Sequence, residues 1–189
     1  MMVTVTPLAP TVVEVRVATG NDDAEENAAG AVNLTSSDLE LVFDKSTQTV
    51  GLRFGSVAVP RGAEVTAAWL QFTVDETGSA STALTLAGEA SDNALPFAKT
   101  TRNVSARPRT SSSVAVSWSP QPWTVVGQAG PDQRTPGLAA VVQEIVGRPG
   151  WASGNAVVIV LTGSGKRTAV AYNGRASTAP LLHIEYVAP

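Results

Sequence analysis

The chain has 189 residues, of which 43% are hydrophobic and 15% charged, with one histidine, no cysteine and a formal net charge of −3. This length suits one domain, so we expect a single domain over residues 1–189 with its core at about 11–187. The lack of cysteine excludes disulfides and thiol nucleophiles, and a lone histidine excludes a multi-histidine metal centre. We expect no nucleic-acid partner from the mildly acidic balance and no membrane insertion, because no apolar run is long enough.

Apolar and polar residues alternate through most of the chain, first in Thr11–Ala18 and then in Glu64–Val74. Alternation with a period of two indicates strands that bury one face, and we expect Trp69 in the second strand to lie in the core. Further strands are expected at Asp38–Phe43, Thr49–Phe54, around Leu84 and Leu86, around Val114 and Val116, and at Ala156–Leu161, Thr168–Tyr172 and Leu181–Val187. Glycine- and proline-containing turns separate these segments. The sequence therefore predicts an all-β fold, an antiparallel β-sandwich of the jelly-roll type.

A helical pattern is confined to the segment near residues 136–146. Thr135 is suited to cap a helix, and Pro136 suits the first turn because the N–H that it lacks would be unpaired there. Apolar residues then recur at helical spacing until Gly147, which is placed to end the helix. We expect one short amphipathic α-helix that covers an open end or face of the sandwich.

Acidic residues crowd the segment 21–27, Asn-Asp-Asp-Ala-Glu-Glu-Asn, which follows a predicted strand and is interpreted as a loop. Calcium takes about six to eight oxygen ligands, and carboxylate and amide oxygens are its usual ligands. Two acidic pairs elsewhere in the chain are placed to converge on the same ion. The predicted calcium ligands are Asp22, Asp23, Glu25, Glu26, Asp38, Glu40, Asp75 and Glu76. The alternative is a solvated acidic loop at the rim of the sandwich.

Aromatic residues in irregular segments suggest a sugar-binding surface, since an aromatic platform with a few polar side chains suits a polysaccharide. Trp123, flanked by proline, is the tryptophan that we expect to be exposed. The predicted ligand-binding residues are Trp123, Trp118, Trp151, Tyr172 at a hairpin tip, and Arg107 and Arg109 in a long surface loop, Ser91–Ser113. Two arginines in a loop are able to bind acidic sugars by bidentate pairing. The alternatives are core packing for the tryptophans and a solvated loop for the arginines.

Catalytic motifs are weak, and we do not expect an enzyme. The segment Gly163–Arg167 superficially resembles a phosphate loop but lacks its leading glycine and the Ser or Thr after the lysine. His183 lies on the last predicted strand, and no Gly-x-Ser-x-Gly sequence is present. A glycan-cleaving enzyme needs only two suitably spaced carboxylates, so this activity remains an alternative. The loose candidates for such a pair are Glu89, Asp92, Asp132 and Glu144.

Short motifs occur in a characteristic order over residues 12–187. They are Asp22-Asp23-Ala24-Glu25-Glu26, Ser37-Asp38-Leu39-Glu40-Leu41, Val50-Gly51-Leu52-Arg53-Phe54, Val59-Pro60-Arg61-Gly62-Ala63, Gln143-Glu144-Ile145-Val146, Arg148-Pro149-Gly150-Trp151, Gly154-Asn155-Ala156 and Ala179-Pro180-Leu181. The chain thereby resembles a secreted bacterial β-sandwich module, and more distantly the DNRLRE-type and carbohydrate-binding modules of polysaccharide-degrading enzymes. The resemblance implies an extracellular jelly-roll domain with structural calcium, held by the acidic segment with Asp38 and Glu40.

These observations lead to one expected function and two alternatives. We expect a non-catalytic, calcium-stabilised module, secreted or at the cell surface, that binds polysaccharide or a surface glycan. The first alternative is a structural surface, filament or adhesin protein that assembles with other copies of itself. The second is the glycan-cleaving enzyme.

Overall fold

The structure, a computed structural model, describes residues 9–189, and within them thirteen strands and two helices. The strands are β1 (Thr11–Arg16), β2 (Asp23–Asn27), β3 (Val32–Asn33), β4 (Asp38–Leu41), β5 (Phe43–Asp44), β6 (Ser46–Phe54), β7 (Glu64–Gln71), β8 (Val74–Glu76), β9 (Ala83–Gly88), β10 (Val116–Trp118), β11 (Val157–Ser164), β12 (Arg167–Val170) and β13 (Leu181–Val187). The helices are α1 (Ala139–Val146) and α2 (Tyr172–Arg175). The predicted all-β, sandwich-like class is confirmed.

The strands form three antiparallel sheets. The first sheet has the order β1-β13-β7, and the third has the order β4-β12-β8. The central sheet has the order β10-β9-β11-β6-β2-β3, and β5 pairs with β6 as a hairpin beside it. Strands that are adjacent in a sheet are mostly distant in sequence, so side chains from far-apart segments come together.

The main core lies between the sheets and is built from the apolar faces that the alternation predicts. On β6, Val50, Leu52 and Phe54 are fully buried, and they belong to one cluster that extends from Val17 to Tyr186. Adjacent residues of these strands point to opposite faces, which is why every second residue enters the core. Within residues 9–189, no helix has the length and apolar character to cross a membrane.

The predicted helix is present but begins later than expected. Thr135 does not cap it, because its hydroxyl accepts a hydrogen bond from the Leu70 N–H at 3.0 Å and so fixes the preceding segment to the edge of β7. The helix begins at Ala139 and is followed by Gly147, whose N–H donates to the Gln143 carbonyl. The apolar face of α1 is buried in the main core, as predicted.

The long segment 91–113 is not simply a surface loop. Phe97 and Val104 from this segment lie over the outer face of the central sheet, where they form a second hydrophobic cluster with Val158 and Val160 of β11. The central sheet therefore has apolar side chains on both faces. This arrangement explains why Gly51 of β6 has no room for a side chain beneath Phe97.

Candidate functional site

The acidic segment does not form the predicted loop, because most of it is strand β2 within the central sheet. Strand β2 pairs with β6 on one side and with β3 on the other. Its carboxylates are therefore enclosed, and none of Asp22, Asp23, Glu25 and Glu26 is more than 4% exposed. A buried carboxylate must be hydrogen-bonded or neutral, so each of these side chains has a specific environment. The alternative of a solvated acidic loop is wrong.

Two of the four carboxylates are bound on the outer side of the central sheet. The Asp22 carboxylate lies 2.6 Å from the Arg53 guanidinium. The Glu26 carboxylate accepts hydrogen bonds from the backbone N–H groups of Val104 and Ser105 at 2.7 and 3.0 Å. These contacts fix the segment 91–113 to the sheet and separate both side chains from the other predicted calcium ligands.

The other two carboxylates, of Asp23 and Glu25, share the opposite face of β2. The Asp23 carboxylate accepts a hydrogen bond from the Tyr172 N–H at 2.7 Å. Burial, only partly offset by that hydrogen bond, raises the pKa of Asp23 to about 6. Asp23 therefore fixes α2 to the sheet, and Glu25 lies farther along the same face.

Glu25 forms a carboxyl pair with Glu40 of β4. The Glu40 N–H donates to Glu25 Oε1 at 2.8 Å, which brings the two carboxyl groups together. Burial, and after it the adjacent carboxyl group of Glu40, raises the pKa of Glu25 to about 9, although the hydrogen bond from the Glu40 N–H opposes this shift. Two carboxylates this close repel each other strongly when both are ionised. At neutral pH Glu25 accordingly holds a proton.

The remaining predicted calcium ligands lie next to this pair on the third sheet. Lys166 Nζ lies 3.7 Å from Glu40 and 3.4 Å from Glu76, so the lysine bridges the two carboxylates. Burial, with the charges of Asp38 and Glu76, raises the pKa of Asp75. The predicted convergence is thus present for part of the set, but no three acidic or histidine side chains in residues 9–189 are arranged as a metal site.

A cavity of about 380 Å³ opens beside the carboxyl pair, between β2, β3, β4 and the β5–β6 hairpin. We call it the carboxyl cavity. Its polar lining includes Glu25, Asn27, Asn33, Glu40, Asp44 and Gln48. Gln48 is only 8% exposed, and its Oε1 atom has no hydrogen-bond partner in the described part of the chain. The cavity therefore combines carboxylates, amides and one unsatisfied buried oxygen.

The opposite face of the β5–β6 hairpin borders a second depression of about 260 Å³, which we call the hydroxyl cleft. It is lined by side chains that include Asn27, Thr47, Thr49, Arg102 and Ser105. Phe43, which is 45% exposed, pairs with Thr47 across the hairpin, so its side chain projects from the same face of the hairpin as this lining residue without itself lining the cleft. Phe43 is not among the predicted ligand-binding residues, because its position at the end of the predicted strand Asp38–Phe43 gives no sign of exposure.

The three tryptophans predicted to bind ligand are all in the core. Trp123 is 0% exposed, and the expectation that it is exposed is wrong. Its ring lies 6.3 Å from that of Phe72 and 6.5 Å from that of Trp118, which is also buried. Trp151 is buried as well and donates its indole N–H to the Val59 carbonyl at 2.9 Å. These side chains pack in the main core between the sheets, so the alternative of core packing is correct for all three tryptophans.

Tyr172 and the two arginines also have structural contacts. Tyr172 begins the short helix α2 and is not at the tip of a hairpin. Arg107 pairs with Glu89 at 2.8 Å, and its guanidinium lies 4.4 Å from the centre of the Phe97 ring. Arg109 donates to the Val104 carbonyl at 2.9 Å. Both arginines hold the segment 91–113 together, so neither is the solvated loop residue of the alternative.

Trp69 lies on the outer face of the first sheet rather than in the core. It stacks on its cross-strand neighbour His183 with ring centres 3.9 Å apart, and the Arg134 guanidinium lies 4.6 Å from its ring. His183 Nδ1 lies 2.9 Å from the Glu14 carboxylate of β1. The alternation of the strand already indicates that Trp69 lies outside the core. Trp69 stands between Ala68 and Leu70, which are both buried, so its side chain is on the opposite face.

Comparison of the sequence with known proteins identified no relative of this chain. No protein-family model matches the chain, and no curated protein sequence matches it.

Proposed function

We propose that this chain is a non-catalytic module, secreted or at the cell surface, that binds polysaccharide at the β5–β6 hairpin and is stabilised by calcium in the carboxyl cavity. The observation that carries the proposal is the position of the hairpin, with the carboxyl cavity on one face and the exposed ring of Phe43 beside the hydroxyl cleft on the other. A cation on one face would fix the segment that presents the sugar-binding surface on the other.

The lining of the carboxyl cavity suits calcium chemically. The carboxylates of Glu25, Glu40 and Asp44 and the amides of Asn27 and Gln48 supply oxygen ligands, which calcium prefers. Gln48 Oε1, which accepts no hydrogen bond from any of residues 9–189, is a group that a cation would satisfy. Glu25 holds a proton at neutral pH, and calcium binding to its carboxylate would release that proton.

Calcium binding is tested by thermal unfolding of the chelated protein with and without added calcium. We expect calcium to raise the melting temperature and to release protons into a weakly buffered solution near pH 7. Glu25→Gln matches the protonated side chain in shape and hydrogen bonding but has no proton to release on unfolding, so near pH 7 its melting temperature should be at least that of the chelated wild type, and it should lose the response to calcium. Glu64→Gln, an exposed change on β7, is the matched control. A wild-type melting temperature unaffected by calcium would contradict this part of the proposal.

The hydroxyl cleft provides the two components that a sugar needs. Phe43 offers an exposed apolar ring against which the C–H groups of a pyranose can pack. Thr47, Thr49 and Asn27 supply hydroxyl and amide groups, and Arg102 adds a charge that suits an acidic sugar.

Glycan binding is tested by retention on a panel of insoluble cellulose, chitin and xylan and of acidic alginate and pectin. We expect wild-type protein to be retained on at least one of these polymers and Phe43→Ala to lose retention without a change in melting temperature. Val126→Ala removes a more exposed apolar side chain, 63% exposed and outside the β5–β6 hairpin, and should bind like the wild type. Absence of wild-type retention on every polymer would contradict the proposal.

The proposal of a non-catalytic role is supported by the contacts of three of the four carboxylates that the sequence offers for hydrolysis, the fourth being the exposed Asp132. Glu89 is paired with Arg107, and Asp92 lies 2.6 Å from Arg148. Glu144 accepts a hydrogen bond from the Ser111 N–H at 2.8 Å. Each of these side chains therefore stabilises a loop.

A further inference from the structure

Strand β1 forms an edge of the first sheet. It pairs with β13, and within residues 9–189 no strand pairs with its other side. The opposite edge of the same sheet, β7, is covered, because the Leu70 N–H donates to Thr135 and the Val65 N–H donates to Gln143. An open edge presents N–H and C=O groups that can pair with another strand.

The hydrogen-bonding pattern identifies which groups of β1 face outwards. The Val17 N–H donates to the Pro180 carbonyl, so the odd-numbered residues of β1 point their backbone groups at β13. The backbone groups of Val12, Glu14 and Arg16 then point away from the sheet. Val12 is also 54% exposed, which is unusual for a valine in a strand.

The charges on this edge are complementary to a second copy of the same edge in one register. In an antiparallel pair related by a two-fold axis at Val15, Glu14 lies opposite Arg16 of the second copy, and Arg16 lies opposite Glu14 of the second copy. A register shifted by two residues in either direction would place Glu14 opposite Glu14 or Arg16 opposite Arg16, which is repulsive. The favoured register also places the outward-facing backbone groups opposite one another.

The inner face of β1 also favours pairing with a second copy, and the choice of register rests on the charges. Val13 and Val15 lie against the main core but remain partly exposed at the edge of the sheet. A second copy in this register covers Val15 with its own Val15 and places Val17 of the copy opposite Val13. The pairing would thus remove half-exposed apolar surface from water, which favours association.

We propose that two copies of this chain associate through β1 to form a continuous six-stranded sheet with the order β7-β13-β1-β1-β13-β7. The interface is separate from the carboxyl cavity and the hydroxyl cleft, so the inference is independent of calcium and glycan binding. Such a two-fold contact is isologous and closes at a dimer instead of extending into a filament.

The inference is tested by charge exchange and sedimentation equilibrium of the whole chain. We expect the wild-type protein to dimerise. Glu14→Arg or Arg16→Glu alone should weaken the dimer at least about tenfold, because each change places like charges opposite one another. The double variant should restore the dimer, because it again places opposite charges across the interface. Restoration of the dimer by the double variant would show that the single changes act through charges across the interface, because two changes that each disrupted folding would not compensate for one another. A wild type that stays monomeric at millimolar concentration, or a double variant no better than the single ones, would overturn the inference.

Hydrogen exchange provides a second measurement in the same samples. In the dimer the amides of Glu14 and Arg16 should be protected, whereas dilution to monomer should expose them. The amides of Val13 and Val15 bond to β13 in either state and serve as internal controls. Equal and rapid exchange of Glu14 and Arg16 at all concentrations would also overturn the inference.

Discussion

Glu25 of β2 and Glu40 of β4 are held in contact across two sheets, with the Glu40 N–H donating to Glu25 Oε1 at 2.8 Å. Glu25 keeps its proton at neutral pH, because burial and the adjacent carboxyl group of Glu40 raise the pKa of Glu25 to about 9. The pair joins the central sheet to the third sheet beside the carboxyl cavity. Its protonation therefore affects both stability and the proposed cation site.

Stability in a chelating buffer is predicted to fall as the pH rises from about 5 to about 9. In the unfolded chain Glu25 ionises near its ordinary pKa of 4.5, whereas the folded chain retains the proton until about 9, so unfolding releases a proton within this window. Asp23, with a pKa raised to about 6, adds to the fall at the acidic end.

Melting temperatures measured across this pH range provide the test, and Glu25→Gln should flatten the curve above about pH 7, where Asp23 is largely ionised. The exposed Glu64→Gln should follow the wild-type curve. A wild-type melting temperature that rises over the same range would show that the carboxyl pair does not hold its proton.

Gly51→Ala is predicted to destabilise the fold by about 1–3 kcal/mol, because overpacking of a core costs this much. A Cβ atom at position 51 would lie 2.5 Å from Cζ of Phe97 and 2.9 Å from Cγ1 of Val104. Gly55→Ala is the matched control, since the nearest atom to its Cβ is 3.5 Å away. Urea unfolding measures both, and partial rescue of Gly51→Ala by Phe97→Leu would identify the ring as the cause.

Trp123→Ala is predicted to lose about 3–5 kcal/mol of unfolding free energy, as expected for a large buried ring. The side chain is 0% exposed, and its indole N–H donates to the Asp132 carbonyl at 3.2 Å. Trp123→Phe keeps most of the buried area and should cost less. Chemical denaturation gives both values, and a Trp123→Ala protein as stable as the wild type would contradict the core position.

Arg107→Lys is predicted to loosen the segment 91–113 while leaving the rest of the fold intact. The guanidinium donates to Glu89 and to the Leu95 and Pro96 carbonyls at 2.8, 2.8 and 3.0 Å, and a single ammonium group cannot reproduce this set. Amide hydrogen exchange should accelerate around residues 94–106 and remain unchanged in β11. Equal exchange in both proteins would mean that the arginine does not hold the segment.

The fold class was predictable from the sequence because it depends on local periodicity. Alternation with a period of two marks strands such as Glu64–Gln71 whatever they pair with, and the helical spacing from Leu138 to Ile145 marks α1. The start of α1 was not predictable, because Thr135 has a tertiary partner, Leu70, that outweighs its local tendency to cap. Strand β2 was missed because four carboxylates in seven residues are typical of a solvated loop.

The sequence by itself determined that this is an all-β chain with one core-covering helix and an unusual concentration of carboxylates. Only the tertiary structure decided that those carboxylates are buried, that Glu25 contacts Glu40, and that Trp123 is enclosed whereas Phe43 is exposed. The physical reason is that burial and pKa depend on neighbours from distant parts of the chain. Arg53, Val104 and Tyr172 surround β2 in space but lie from 26 to more than 140 residues beyond it.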